Sequence, residues 1–180
     1  KKQIKDALQK GRKAKNKVQF HFEIGSNYFL EIAKLKAFRI LWRDRTGQDP
    51  YIFTSSIMSN KKSEFAYNNI LRSTTECMSA IFGGANAILL YPYNLSFEKS
   101  TEFSERIARN QQIILKKESH LDKVNDPAKG SYYIDYLVQE LLQEYKIKYA
   151  SRETLATSKW TSPEGIKIKN NYTKKDISTI

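Results

Sequence analysis

The repeating pattern that decides the fold begins with Val18-Gln19-Phe20-His21-Phe22-Glu23-Ile24, where apolar and polar side chains alternate. A period of two residues is typical of a half-buried β-strand. Gly25-Ser26-Asn27 then supplies a turn, and apolar residues at helical spacing continue from Tyr28 to about Arg45. The loop that follows contains Gly and Pro, which end helices. This part of the chain therefore predicts one strand followed by one helix.

The same unit recurs along the chain. Further strands are predicted at 51–55, at 87–91 and, very short, around Val124, and each is followed by a stretch with helical spacing. Strands separated by single helices are expected to be parallel. Four such βα units are half of an eight-unit barrel. The periodicity alone leaves two α/β folds open, a half-barrel and a small doubly wound sheet.

Composition bounds the class of protein. The chain has 180 residues, 40% of them hydrophobic, which is enough for one domain with a core. It contains no apolar run of membrane-spanning length and no recognisable signal peptide. Cys77 is the single cysteine, and two histidines do not suggest a metal site. We therefore expect a cytoplasmic protein without membrane contact.

The net charge of +12 is unevenly distributed. Residues 1–17 carry eight basic groups and one acidic group, and residues 146–180 carry eight basic and three acidic groups, whereas the residues between them sum to zero. We expect a basic helical flank at 1–15, with Gly11 as its stop, and a poorly packed basic tail at 150–180. This distribution argues against nucleic acid as a partner, although a basic nucleic-acid-binding module is kept as a second alternative.

Four blocks of sequence carry a family resemblance. They are Ile24-Gly25-Ser26-Asn27-Tyr28 with the helix that follows, Gly83-Gly84, Phe103-Ser104-Glu105-Arg106-Ile107-Ala108-Arg109-Asn110-Gln111-Gln112, and Asp126-Pro127-Ala128-Lys129-Gly130-Ser131-Tyr132-Tyr133. In order and spacing these blocks resemble the barrel of methylmalonyl-CoA mutase. The resemblance covers residues 16–145 and implies a partial barrel domain at 16–149, namely the C-terminal half of a TIM-type barrel built from four βα units.

The resemblance also implies a function. Intact members of the family interconvert methylmalonyl-CoA and succinyl-CoA with adenosylcobalamin. The chain is most similar to the small, non-catalytic subunit, so we expect no cofactor on this chain and a heterodimer with a large catalytic subunit. The enzymatic status of this chain by itself stays open. A divergent but catalytic acyl-CoA mutase barrel is the first alternative.

The residues at the family's ligand positions distinguish a non-catalytic subunit from a divergent catalytic barrel. Ser55 and Ser59 stand where the catalytic pattern has the Gln and Trp that abut the corrin ring, and Leu95 replaces a carboxylate. By the same ungapped count, Lys17, Gln19 and Asn86 occupy positions that contact coenzyme A or the substrate, so they are weak candidates for substrate binding. No catalytic and no metal-binding residue is expected. Replacing polar groups with shorter or apolar ones removes partners that a polar ligand needs.

Several retained residues are expected to have structural roles. Arg109 and Asn110 are predicted to tie their helix to neighbouring loops, and Glu31, Lys34 and Lys36 to form an exposed, salt-paired helix face. The tail from Trp160 to Asp176 resembles the segment that precedes the barrel in large subunits. A joined second subunit and a coincidental basic tail are both open interpretations of this segment.

Overall fold

A computed structural model describes residues 2–13, 18–143, 145, 159–161 and 165–169. The helices are α1 (Lys2–Lys13), α2 (Tyr28–Thr46), α3 (Asn68–Phe82), α4 (Glu102–Lys117) and α5 (Tyr132–Gln143). The strands are β1 (Gln19–Ile24), β2 (Tyr51–Ser56), β3 (Ala87–Leu89), β4 (Lys159–Thr161) and β5 (Lys167–Lys169).

The first three strands form one parallel sheet in the order β1-β2-β3. Gln19 pairs with Tyr51, and Phe53 pairs with Ala87. Helices α2 and α3 make the two connections between these strands. The predicted α/β class and the parallel sheet are therefore confirmed.

The fourth strand and its βα unit are not found in the described residues. The segment around Val124 consists of turns and bends. Val124 is a single apolar residue among polar neighbours, and Asp126 turns the backbone with a φ of 51° just before Pro127, which has no amide to donate. A strand needs a run of paired backbone groups, which this segment does not provide.

The core lies between the sheet and α2. Phe20 and Phe22 of β1 meet the ring of Phe38 edge to face, with centroids 4.7 and 4.8 Å apart. Leu35 and Leu41, on the same helix as Phe38, are also fully buried. The structure confirms the period-two pattern predicted for β1, because the three apolar residues of the strand are buried and its three polar residues are exposed.

Helix α1 packs onto this core. Ile4 and Leu8 are buried in the same apolar cluster as Phe20 and Phe38. The predicted stop at Gly11 is wrong, because the helix continues to Lys13. A Cβ at Gly11 would lie 2.7 Å from the Trp42 ring. The glycine therefore allows α1 to pack closely against these aromatic rings, and it does not end the helix.

The lysines of α2 are paired as predicted but are not exposed. Lys34 and Lys36 are each 8% exposed. Lys34 pairs with Glu31, and Lys36 Nζ lies 2.6 Å from an Asp126 carboxylate oxygen. Their aliphatic stems run along the core while their ammonium groups reach acidic partners at its rim. The prediction of an exposed face is wrong in that respect.

Little of the C-terminal segment falls within the described residues. Strands β4 and β5 form an antiparallel pair in which Trp160 is opposite Ile168. The prediction that residues 150–180 pack poorly concerns a segment that lies mostly outside the described residues.

Candidate functional site

Parallel sheets bind ligands at the carboxyl ends of their strands. In this chain three loops meet there: residues 25–27 after β1, residues 57–67 after β2 and residues 90–101 after β3. The loop after β2 is held next to β1 by the backbone amide of Ile57, which donates to the carbonyl of Ile24 at 3.0 Å.

A buried ion pair lies beneath the first two loops. Lys61 Nζ is 2.8 Å from each carboxylate oxygen of Glu76, and both side chains are 1% exposed. Asn60 donates to Glu76 at 2.6 Å and to Ser26 Oγ at 2.8 Å. Together these contacts join the loop after β1, the loop after β2 and helix α3.

Burial opposes both charges of this pair. Desolvation raises the pKa of Glu76, against the lowering effect of hydrogen bonds from Asn60 and Lys61. Desolvation likewise lowers the pKa of Lys61, against the raising effect of the Glu76 carboxylate. The charges are tolerated because each one is met by the other and by an amide.

Asn69 connects the loops after β2 and β3. Its amide nitrogen donates to the carbonyls of Lys62 at 2.7 Å and Tyr93 at 3.0 Å. Its carbonyl oxygen accepts from the Lys62 amide and from Arg72. Asn69 is completely buried, so its hydrogen-bonding capacity is used within the protein.

Gln111, rather than Arg109 or Asn110 beside it in the sequence, links α4 to α3. Gln111 Nε2 donates to the carbonyl of Ile70 at 2.8 Å and to Thr74 Oγ1 at 2.7 Å. Arg109 and Asn110, which were predicted to make such ties, are exposed on the other side of the helix. The error is one of helical phase, because adjacent residues on a helix point about 100° apart.

One polar pair lies on the sheet itself. His21 Nε2 and Ser55 Oγ are 2.8 Å apart across β1 and β2. The His21 ring also contacts the Phe53 ring, with centroids 5.0 Å apart. Ser55 is 1% exposed, so its hydroxyl is held by the imidazole and has little access to solvent.

The other predicted site residues are spread over the fold. Ser59 is exposed in the loop after β2, and Leu95 is half-buried in the loop after β3. Gln19 lies near the amino end of β1 and is exposed. Lys17 falls outside the described residues. Of the three that are described, Gln19 therefore lies at the opposite edge of the sheet from the loops that carry Ser59 and Leu95.

Asn86 lies at the amino end of β3, although it was grouped with the ligand loops in the sequence analysis. Its side-chain oxygen, Oδ1, accepts from the Ile52 backbone amide at 2.8 Å and from Arg39 at 3.3 Å. Its backbone amide donates to the Ile52 carbonyl at 2.8 Å. These contacts give Asn86 a structural role at the edge of the sheet opposite the three loops.

The buried polar side chains of this arrangement hold its own loops together. Among the described residues, no cluster of three or more histidine, cysteine or acidic side chains could hold a metal ion. Cys77 is buried, and burial raises the pKa of its thiol to about 12. Sequence reasoning missed Asn60, Lys61 and Glu76, since pairing between residues 15 apart cannot be read from a single sequence.

Comparison with known proteins gives the family. The family model described as methylmalonyl-CoA mutase matches residues 2–151. The chain belongs to the methylmalonyl-CoA mutase family. It is 42% identical to the methylmalonyl-CoA mutase small subunit of Porphyromonas gingivalis over 151 residues, which cover 78% of this chain and 24% of that protein.

Other mutases are similar over comparable lengths of the chain. A methylmalonyl-CoA mutase of Rhizobium meliloti is 36% identical, covering 78% of this chain and 22% of that protein. A second small subunit, from Streptomyces virginiae, is 38% identical, covering 72% and 22%. The chain thus spans less than a quarter of the length of these relatives. No described helix is long and apolar enough to cross a membrane.

Proposed function

We propose that this chain is part of the barrel of a methylmalonyl-CoA mutase small subunit, namely the C-terminal half of a TIM-type barrel. In this proposal it has no catalytic residues of its own. It supports a large, cobalamin-dependent catalytic subunit, with which it forms a heterodimer in the cytoplasm. That complex interconverts methylmalonyl-CoA and succinyl-CoA.

The observation that carries the proposal is the internal use of polar groups at the carboxyl edge. Asn60, Lys61 and Glu76 satisfy one another beneath the loops after β1 and β2. The side-chain amide of Asn69 donates hydrogen bonds to the loop after β2 and to the loop after β3. A ligand that needs hydrogen bonds would have to break contacts that are already made, which costs about 1–3 kcal/mol for each group left unpaired.

The residues at the family's cofactor positions do not fit adenosylcobalamin. The Ser55 hydroxyl is buried against His21, and Ser59 is too short to provide the flat apolar contact expected of a Trp. Leu95 brings a hydrocarbon side chain where the family pattern has a carboxylate. We therefore derive no chemical step through this group on the chain. In the proposed complex the cofactor belongs to the large subunit, where it would supply the radical chemistry.

Relatives support the choice of subunit. Two of the similar proteins carry the name small subunit, and the identity to the P. gingivalis protein is 42%. The name implies a large subunit as partner. Large apolar side chains are exposed where the loop after β2 leads into α3, including Phe65 at 75% and Leu71 at 68%, and exposed apolar side chains of this kind are typical of interaction sites.

The test compares ligand binding with subunit binding. Titration calorimetry with coenzyme A and with adenosylcobalamin is expected to give no saturable heat for this chain. Analytical ultracentrifugation with a methylmalonyl-CoA mutase large subunit is expected to give a complex. A variant with Leu71→Asp should weaken that complex, and Ile114→Asp, at an exposed apolar residue on α4, serves as a matched control.

Two results would overturn the proposal. Saturable binding of coenzyme A or cobalamin that is lost in Ser55→Leu would favour the divergent catalytic barrel. Binding of an oligonucleotide with a steep salt dependence, reduced by replacing Lys2, Lys5 and Lys10 with Gln, would favour the nucleic-acid-binding alternative.

A further inference from the structure

The loop after β2 (residues 57–67) has one buried residue, which is Lys61. The other residues of this loop are exposed or half-buried. Backbone hydrogen bonds fix the loop at Ile57 and at Lys62, so Lys61 is its single buried side chain between these two points. Lysine is almost never fully buried unless it is paired. The contacts of the Lys61 ammonium group are therefore expected to decide where the loop lies.

The Lys61 ammonium group meets three acceptors. Its nitrogen lies 2.8 Å from Asn60 Oδ1 and 2.8 Å from each carboxylate oxygen of Glu76. An ammonium group has three N–H donors and no acceptor, so these contacts use all of its hydrogen-bonding capacity. The side chains of Lys61 and Glu76 are 1% exposed, so bulk water contributes little to either group. The number and kind of partners match a primary ammonium group.

The three acceptors are held in place by contacts that do not involve the lysine. The side-chain amide of Asn60 donates to Glu76 Oε1 at 2.6 Å and to Ser26 Oγ at 2.8 Å. Both of its N–H groups are thereby used, and its oxygen is left to accept from the ammonium group. Glu76 lies on α3, and Ser26 lies in the loop after β1. The acceptors thus belong to a network that also joins two other parts of the fold.

We propose that Asn60 and Glu76 form a receptor for one primary ammonium group, and that Lys61 occupies this receptor from within the same chain and so holds the loop after β2 against α3. When that side chain is removed, the receptor accepts a free alkylammonium ion. It discriminates against quaternary ammonium ions, which carry the same charge but have no N–H group to donate. These contacts lie within two loops and α3, so the receptor is independent of the proposed subunit function.

The experiment empties the receptor in the whole chain. Lys61→Ala keeps the Cβ atom and removes the rest of the side chain, which propylammonium chloride supplies as a free ion of the same length. Hydrogen exchange of peptides covering residues 57–67 is followed by mass spectrometry. We expect exchange at least about tenfold faster in the variant, because the Glu76 carboxylate is left buried without its partner. Propylammonium is expected to restore slow exchange in a saturable manner, and tetramethylammonium at equal concentration is not.

Lys62→Ala is the matched control, since Lys62 is the next residue in the loop and is exposed. This variant is expected to exchange like the parent protein and to be insensitive to propylammonium. If Lys61→Ala does not fold in buffer, circular dichroism is expected to show folding with propylammonium and not with tetramethylammonium. If neither ion restores the fold, exchange is measured in Lys61→Met, which keeps the side-chain volume without the charge and is expected to release the loop.

Three outcomes would overturn the proposal. The first is slow loop exchange in Lys61→Ala or Lys61→Met without any added amine, which would mean that other contacts hold the loop. The second is an equal effect of propylammonium and tetramethylammonium, which would indicate charge screening in place of a receptor. The third is an equal response of Lys62→Ala and Lys61→Ala to propylammonium, which would place the binding of the ion elsewhere on the protein.

Discussion

Lys61 and Glu76 form an ion pair in which the ammonium nitrogen lies 2.8 Å from both carboxylate oxygens. Both side chains are 1% exposed. The pair joins the loop after β2 to α3, directly beneath the edge where the sheet would hold a ligand. Replacing one partner is expected to lower the free energy of unfolding more than replacing both, because a lone buried charge is far less stable than a buried ion pair.

Glu76→Gln is expected to lower the free energy of unfolding by about 3–5 kcal/mol, because it leaves the Lys61 ammonium buried without a carboxylate. Urea denaturation followed by circular dichroism measures this loss. The double variant Lys61→Met with Glu76→Leu removes both charges at similar volume and is expected to be close to the parent protein. A double variant as unstable as the single one would contradict this account.

The stability of Glu76→Gln should also depend on pH. Burial already lowers the pKa of Lys61 below its ordinary value, and loss of the carboxylate removes the main opposing effect. A lysine with a lowered folded-state pKa gives up its proton on folding, so stability rises as pH increases through that pKa. Unfolding measured at about pH 7 and about pH 9 should show a larger increase for Glu76→Gln than for the parent protein.

Gly11→Ala is expected to destabilise the protein by about 1–3 kcal/mol, since the new Cβ would overlap the aromatic rings beneath α1. The overlap is with Trp42 at 2.7 Å and Phe20 at 2.8 Å. Thermal unfolding checks the effect. Gly25→Ala is a matched control, because its Cβ would meet only the Glu31 carboxylate at 3.5 Å. Equal melting temperatures for the two variants would argue against close packing at Gly11.

Asn69→Ala is expected to lower the free energy of unfolding by about 1–3 kcal/mol, because it removes a completely buried amide that donates to the carbonyls of Lys62 and Tyr93. Amide hydrogen exchange should also become faster in the loops after β2 and β3. The neighbouring Asn68→Ala is the control, since Asn68 is exposed. Unchanged exchange in the Asn69 variant would mean that the loops are held by other contacts.

Cys77 is expected to resist alkylation in the folded protein. The side chain is 2% exposed, and burial raises the pKa of the thiol to about 12, so very little thiolate forms at neutral pH. Mass spectrometry after treatment with iodoacetamide should show modification only when urea is added. Rapid labelling without denaturant would reveal local opening of α3.

Much of the fold could be predicted from periodicity. The alternation in β1 and the helical spacing of α2 depend only on which residues face the core, and the structure confirms both. The prediction of a strand at Val124 is wrong because one apolar residue cannot show whether backbone partners exist. The prediction of a helix stop at Gly11 is wrong because the rings of Phe20 and Trp42, which require a glycine there, meet α1 only through tertiary packing.

The site was harder to predict than the fold. Its main contacts join residues from different loops, as with Asn60 and Ser26, and such contacts depend on tertiary packing. Gln111 was overlooked beside Arg109 because the helical phase relative to α3 is not visible from one sequence. The substrate-binding role of Gln19 and the loss of cofactor contacts at Ser55, Ser59 and Leu95 stay predictions, and Lys17 lies outside the described residues.

The hydrogen bond from Lys34 to the Glu23 carbonyl has a consequence for handling the protein. By occupying a carbonyl of β1, the lysine shortens the stretch of backbone along which the sheets of two molecules could join edge to edge. Natural proteins often guard such margins with a charged side chain. Neutralising this one ammonium group should therefore raise the propensity to form fibrils during expression or storage.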